Sequence, residues 1–255
     1  MLSEPAKLYG LIGAKLTHSF SLTYFNQKFA AENIDAEYVN FEIPDIGDLM
    51  EIFAEHPNLA GLNVTIPYKE QVIPYLDDID ETARRIGAVN VIKIRWDSDG
   101  NPYLKGFNSD VIGFTDSLLP MLGKTRGKAL ILGTGGAAKA VYVGLVNLGI
   151  DPVFVSRTPK EGCLTYSDLT EEVMTEHKII VNTTPLGMYP NVDSCPDIPY
   201  RFLTPEHICY DLIYNPDQTM FMKRAEEFGA KVKNGLEMLL LQAFESYRIW
   251  ENPVW

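Results

Sequence analysis

The stretch NVTIPYKE, residues 63–70, sets Asn63, Thr65 and Lys69 where an alternating apolar pattern, Val64 and Ile66, is stopped by Pro67. An amide, a hydroxyl and an ammonium at a strand end could hold a polar ligand and deliver a proton, because ligands of α/β folds sit outside the carboxyl ends of strands. The same residues also suit a strand, a turn and a solvated lysine, and the segment alone leaves both readings open. A second stretch, ILGTGGAAKA, fits the spacing G-x-G-x-x-G/A with Gly133, Gly135 and Ala138. The first glycine permits a tight turn and the second lets backbone approach a pyrophosphate. The third small residue lets a helix pack close to a strand. The start of that helix then offers unpaired N–H groups to phosphate. About 20 residues on, where an acid would hold an NAD ribose, the chain has SRTPK, with Arg157 and no acid. A guanidinium there suits a 2′-phosphate, so NADP is the expected cofactor.

These residues need strands and helices to hold them. KLYGLIG, AEYVNFEI and LAGLNVTIP read as strands, and SLTYFNQKFAAE, DIGDLMEIFAEH (capped by Asp45), KEQVIPYL and IDETARRIG as helical segments. VNVIKIRWDSDGNPYLKGFN reads as a hairpin turning at Asp99-Gly100. A helix over SDVIGFTDSLLPML is followed by strand KALIL, the glycine loop and its helix, then strand PVFVSRT. KIIVNTTP and HICYDLIY follow as buried strands, with helices TMFMKRAEEFG and GLEMLLLQAFESYRIW after them. The expected fold class is α/β: a substrate-binding domain over 1–106, a Rossmann-type nucleotide-binding domain over 107–234, and a C-terminal helix over 235–255 returning to the first domain. A cleft between two such domains is a common place for a small ligand.

Composition narrows the partners. A net charge of −12 without a Lys/Arg run argues against nucleic acid, which needs clustered positive charge. The opening MLSEPAKLYGLIG lacks the pattern of a signal peptide, and no apolar run is long enough to span a membrane. The three cysteines show no CxxC spacing and the four histidines no metal-ligand spacing. A cytoplasmic protein with free thiols and no metal is expected.

Polar clusters recur along the chain: THSFS (17–21), NVTIPYKE, GAVN (87–90), GFNSD (106–110), NTTPLGM (182–188), YDLIYNP (210–216) and NGLEMLLLQ (234–242). In this order around the glycine loop they resemble the shikimate dehydrogenase family, from about residue 8 to about 245. The resemblance implies that Ser19 and Ser21, with Tyr214, bind a substrate carboxylate, and that Asn63, Thr65, Asn90, Asp110 and Gln242 hold ring hydroxyls. It implies Lys69 as catalytic acid/base with Asp110 beside it. Gly133, Gly135, Gly136 and Ala137 would cradle the pyrophosphate and Arg157 the 2′-phosphate of NADP. Thr183, Gly235 and Met238 would also lie near the cofactor. The implied reaction is the reversible reduction of 3-dehydroshikimate to shikimate, a step towards chorismate and the aromatic amino acids, by a monomer or homodimer. It needs hydride at a carbonyl carbon and a proton at its oxygen, and an ammonium can supply that proton.

The chain departs from the family pattern at several places. Leu22 stands where proline is usual, Val111 where NTDG has glycine, Val91 where GAVNT has threonine, and Ser156 where NRT has asparagine. Val111 requires a backbone without positive φ, and Ser156 reaches less far towards an adenosine. The chain stops at Trp255, earlier than many relatives, which suggests that a terminal helix is missing. Within the enzyme class the alternative is a quinate or dual-specificity dehydrogenase. Outside it, the alternative is a non-catalytic NADP-binding sensor, which would have no need of Lys69 or Asp110.

Overall fold

The computed structural model describes residues 6–16, 19–123 and 127–254. Its contacts divide the chain into one unit of Met1–Ser109 with Ala243–Trp255 and a second of Asp110–Gln242.

The first unit contains β1 (Lys7–Gly13), α1 (Phe20–Glu32), β2 (Ala36–Glu42), α2 (Leu49–Glu55), β3 (Leu59–Val64), α3 (Tyr68–Gln71), β4 (Asp78–Ile79), α4 (Glu81–Ile86), β5 (Val91–Trp96) and β6 (Pro102–Phe107). Its sheet has the order β2-β1-β3-β5-β6-β4. β1 pairs parallel with β2 and β3, whereas β5 pairs antiparallel with both β3 and β6. Period-two alternation sorts β1 between two cores: Leu8 and Ile12 join Leu49, Phe53 and Tyr68 on one face, and Tyr9 joins Phe25, Phe29, Tyr38 and Trp250 on the other. The Asn26 side chain docks α1 on β2, accepting from Tyr38 N at 2.9 Å and donating to Tyr38 O at 2.8 Å.

The second unit contains α5 (Asp110–Leu122), β7 (Gly127–Leu132), α6 (Gly136–Asn147), β8 (Ile150–Ser156), β9 (Cys163–Thr165), α7 (Glu171–Glu176), β10 (Ile179–Asn182), β11 (Ile208–Asp211), α8 (Met220–Glu227) and β12 (Lys231–Lys233). Its sheet is wholly parallel in the order β12-β11-β10-β7-β8-β9, the doubly wound arrangement in which the glycine-loop strand sits at the centre. Covered on both faces, β10 and β11 are buried throughout. Ala129, Ile131, Ile179 and Val181 face Phe114, Val141 and Met238, while Leu130, Leu132 and Ile180 face Met174, Phe221 and Ala225.

The last helix, α9 (Leu236–Glu251), begins in the second unit and gives residues 243–251 to the first. There the Trp250 indole lies on β3: a Cβ built on Gly61 would stand 2.4 Å from its ring. The ring stacks on Tyr9 at 4.8 Å, and Nε1 donates to Ile92 O at 3.1 Å. Lys93 is 4% exposed, and its Nζ donates to the end carbonyls of the helix, Ile249 O at 2.9 Å and Asn252 O. A cation there meets the negative end of the helix dipole. Burial lowers the ammonium's pKa, Arg95 and Lys7 add to the shift, and Glu251 opposes it.

Several local expectations change. The alternation expected to run through Ile66 ends at Val64, and Ile66 is 75% exposed. Pro67 has no N–H for a ladder, and the chain turns by Tyr68 N donating to Thr65 O at 2.9 Å. Asp45 does cap an element, but that element is a 3₁₀ turn over Ile46–Asp48, which contains Gly47, a poor α-helix former. By contrast, the shortening expected from Pro74 in KEQVIPYL is present: that segment becomes the four residues of α3 and a 3₁₀ turn over Ile73–Tyr75.

Gly61→Ala is expected to displace the Trp250 ring and destabilise the protein by about 1–3 kcal/mol. Urea unfolding followed by tryptophan fluorescence measures it, and an unchanged midpoint would refute the contact.

Candidate active site

In the second unit β7 ends at Leu132 and is followed by Gly133, whose φ of +116° favours glycine and whose added Cβ would stand 2.6 Å from Thr183 Oγ1. Thr183 is pinned beside this turn, its Oγ1 donating to Leu132 O at 2.7 Å. Gly135 is the N-cap of α6 and makes no side-chain cap, so the first N–H groups of a twelve-residue helix have no side-chain acceptor there. A Cβ on Gly135 would meet no protein atom within 4 Å, so backbone at this point can approach a ligand closely. Gly136 and Ala137 form the first turn of α6, and Ala138 is buried against the sheet. Arg157 is exposed directly after β8. Ser156 is buried, and its Oγ accepts from Thr158 N at 3.4 Å. These features fit a phosphate-bearing nucleotide: a turn only glycine makes easily, free helix N–H groups and an adjacent guanidinium. The structure adds Lys160, whose Nζ donates to Thr134 Oγ1 at 3.1 Å over the glycine turn. The sequence offered only a second cation three residues after Arg157 as a signal for it.

Two other predicted cofactor residues have evident local roles. A Cβ on Gly235 would lie 2.0 Å from Leu212 O, so the chain crosses that carbonyl only as glycine. Met238 is 7% exposed and packs into the core with Ala138 and Tyr210. Asp110, the first residue of α5, is buried, and Tyr214 is 37% exposed beyond β11. Gln242 Nε2 donates to Leu239 O at 2.9 Å. Gly113 lets α5 approach the start of α9, since a Cβ there would stand 2.6 Å from Met238 O.

In the first unit hydrogen bonds bring several predicted residues together. Ser19 caps α1, its Oγ accepting from Leu22 N at 3.2 Å, a donor that proline at position 22 would lack. Thr17 and His18 of the same cluster lie outside the described residues. Thr65 N donates to Ile12 O at 3.0 Å, and Lys69 O accepts from Val89 N at 2.7 Å, which ties α3 to the segment before Asn90. Asn90 is 3% exposed, with Oδ1 accepting from Ser109 N at 2.7 Å and Nδ2 donating to Ser109 Oγ at 3.0 Å. Asn63 is also buried: Nδ2 donates to Ser246 Oγ at 2.9 Å and to Asn90 O at 3.3 Å, while Oδ1 accepts from Tyr38 OH at 2.9 Å. Burial raises the Tyr38 pKa, and a hydrogen bond with the Ser21 hydroxyl opposes the rise. Tyr38 and Ser246 are the polar partners that the sequence did not single out, and Ser109 belongs to the cluster GFNSD without a role assigned to it there. Val111 lies within α5, and Asn33 is the one non-glycine residue with positive φ among the described residues.

No group of three or more His, Cys, Asp or Glu suited to a metal occurs among the described residues, and none of their helices is long and apolar enough to cross a membrane. The three cysteines are unpaired. Asp211, at the end of β11, is fully buried and bridges two loops and a helix cap. It accepts from Asn182 Nδ2 (3.0 Å), Ile213 N (3.0 Å) and Thr219 Oγ1 (2.6 Å). Burial pushes its pKa up to about 6 against those three donors.

Residues 11–92 match the family described as the shikimate dehydrogenase substrate binding domain. A shikimate dehydrogenase (NADP(+)) of Desulforamulus reducens is 37% identical over 98% of this chain and 91% of its own. Among solved structures, shikimate 5-dehydrogenase from Thermus thermophilus in complex with NADP(H) and shikimate is similar with TM-score 0.82 and 28% identity, over 96% of this chain and 93% of that one. Quinate dehydrogenase from Corynebacterium glutamicum in complex with NAD is similar with TM-score 0.83 and 26% identity, over 96% and 94%.

With its pKa raised, Asp211 holds its proton more tightly in the native state than in the unfolded chain. Its contribution to stability is therefore greatest at low pH and is lost as pH rises from about 4 through 6. The stability of the protein relative to Asp211→Asn should fall by about 2 kcal/mol between pH 4 and pH 7. A difference that urea unfolding finds constant across that range would contradict the buried carboxyl.

Proposed function

The chain belongs to the shikimate dehydrogenase family, and from that premise we infer that it catalyses the reversible, NADP-dependent reduction of 3-dehydroshikimate to shikimate. The observation that carries this reading is the near-full-length likeness to an NADP(+) shikimate dehydrogenase. NADPH, when bound, supplies the hydride. Gly133, Gly135, Gly136 and Ala137 would hold its pyrophosphate by backbone, with Arg157 on the 2′-phosphate and Thr183, Gly235 and Met238 along the remainder. Arg157 stands where an NAD-binding chain has an acid, which supports the choice of NADP.

Ser19, Ser21 and Tyr214 would receive the substrate carboxylate through hydroxyls, and Thr65, Asn90, Asp110 and Gln242 the ring hydroxyls; Asn63, expected with the latter group, has its Nδ2 bonded to Ser246 Oγ and Asn90 O and would act from behind them. Lys69 would protonate the oxygen of the carbonyl as its carbon accepts hydride, and an ammonium also stabilises the alkoxide as it develops. Asp110 would orient the ring and the lysine. In the oxidative direction the same Lys69 accepts the proton. The three unpaired cysteines support a reducing, cytoplasmic setting, and a monomer or homodimer completes the reading. The likeness to a quinate dehydrogenase supplies a second reading, in which the pocket also admits the extra hydroxyl of quinate.

Assays at 340 nm crossing shikimate and quinate with NADP and NAD should give turnover confined to shikimate with NADP. Turnover of quinate at comparable kcat/KM would replace the specificity, and no turnover with any pair would sink the enzyme reading. Lys69→Ala should lower kcat by about 10²–10⁴-fold with little change in KM, whereas a raised KM at preserved kcat would remove its proton-transfer role. Arg157→Ala should weaken NADPH far more than NADH in a fluorescence titration, and equal losses would take away the 2′-phosphate contact.

A further inference from the structure

The first unit buries an unusual amount of polar chemistry around one predicted substrate ligand. Asn63, Asn90, Ser109 and Ser246 are each no more than 6% exposed, and Tyr38 is fully buried. A buried hydroxyl or amide is costly unless hydrogen-bonded, and these five bond to one another in sequence. Tyr38 OH donates to Asn63 Oδ1 at 2.9 Å, and Asn63 Nδ2 donates to Ser246 Oγ at 2.9 Å. Ser246 Oγ lies 3.1 Å from Ser109 Oγ, and Ser109 Oγ accepts from Asn90 Nδ2 at 3.0 Å. Either hydroxyl can donate across the contact between Ser246 and Ser109. A second connection runs through backbone: Asn63 Nδ2 and Val64 N both donate to Asn90 O, at 3.3 and 2.9 Å.

Both Nδ2 hydrogens of Asn63 are therefore committed inside the protein, although the family resemblance casts this residue as a ligand of a ring hydroxyl. Ser246 is the unexpected member. It sits in the middle of α9, where alanine would be the better helix former, on the turn before Trp250. Its hydroxyl enters the chain of bonds between the amide that leaves β3 and the serine that clasps Asn90 from both ends of its own amide.

We propose that Asn63 and Ser246 are positioning residues: with Tyr38 and Ser109 they form a buried hydrogen-bond relay that fixes the amide plane of Asn90 for the substrate ring. The role of Asn90 towards the ring rests on the proposed function, whereas the relay itself does not. The helix that ends on Lys93 and Trp250 thereby sets the geometry of a binding residue 156 positions earlier in the chain (246 minus 90).

The test is a double-mutant cycle. Ser246→Ala should raise KM for shikimate about five-fold, the worth of one buried hydrogen bond, with kcat within about two-fold and KM for NADP unchanged. In an Asn90→Ala background the same substitution should have no further effect. Ser109→Thr, which keeps the hydroxyl, should stay near the parent while Ser109→Ala follows Ser246→Ala. A KM unmoved by Ser246→Ala, or raised equally in both backgrounds, would overturn the proposal. Exchange of the Asn90 side-chain amide protons, followed by ¹⁵N NMR without substrate, reads the relay independently of turnover. It should quicken in Ser246→Ala, and unchanged exchange would also overturn the proposal. If the parent protein turned over no shikimate, the proposed function would fail and the exchange experiment would still judge the relay.

Discussion

The contact on which the first unit depends is an indole lying flat on a strand that has no side chain beneath it. Gly61 leaves the space, Trp250 fills it, and Tyr9 closes over the ring. Packing supplies the energy of that contact, and polar chemistry fixes its register. Lys93 and Arg95, neighbours on one face of β5, donate to the carbonyls at and beyond the end of α9, with Arg95 reaching Pro253 O at 2.7 Å. Glu251 is held in turn by Lys7 and Tyr9. With its last turn anchored by an aromatic plug and three cations, the helix has little freedom to rotate, and each residue it presents to the sheet is set with it.

The second unit follows a different constraint. Its strands are parallel and covered on both faces, so polar groups gather at the strand ends. Asn182 and Asp211 terminate adjacent strands, and their side chains bond to each other and then to the loops that follow. Thr183 reaches back to the last carbonyl of β7, which sets the glycine turn against a neighbouring loop. The nucleotide-binding features thus rest on an ordered set of strand-end bonds, at whose centre Asn182 and Asp211 are both fully buried.

Much of this was legible in the sequence, for identifiable reasons. Continuous apolar runs such as KALIL and KIIV are long enough to announce buried parallel strands, and a glycine fingerprint between strand and helix is specific in that context. The short pieces were not. β4, β9 and β12 have two or three residues each, too few for any periodicity, and each is a strand only through its pairing with a longer neighbour. The six-residue α7 carried a weak signal in Thr170 followed by two glutamates. At the candidate site the motif residues were readable, Ser109 of GFNSD among them, whereas Tyr38 and Ser246 were not. Each of these two lies inside a strand or a helix, and only the three-dimensional fold reveals that it meets an amide. Asn63 illustrates the limit from the other side: its position was evident, but what its amide touches was not.

The clasp of Asn26 on Tyr38 has a consequence for how this protein behaves among copies of itself. β2 is the outermost strand of its sheet, and an outer strand normally offers a row of unpaired N–H and C=O groups to any passing chain. At Tyr38 both groups are already taken by a side chain imitating a neighbouring strand. The asparagine thereby works as a selvedge on the woven edge, and at that point the strand has no unpaired backbone groups to offer another sheet.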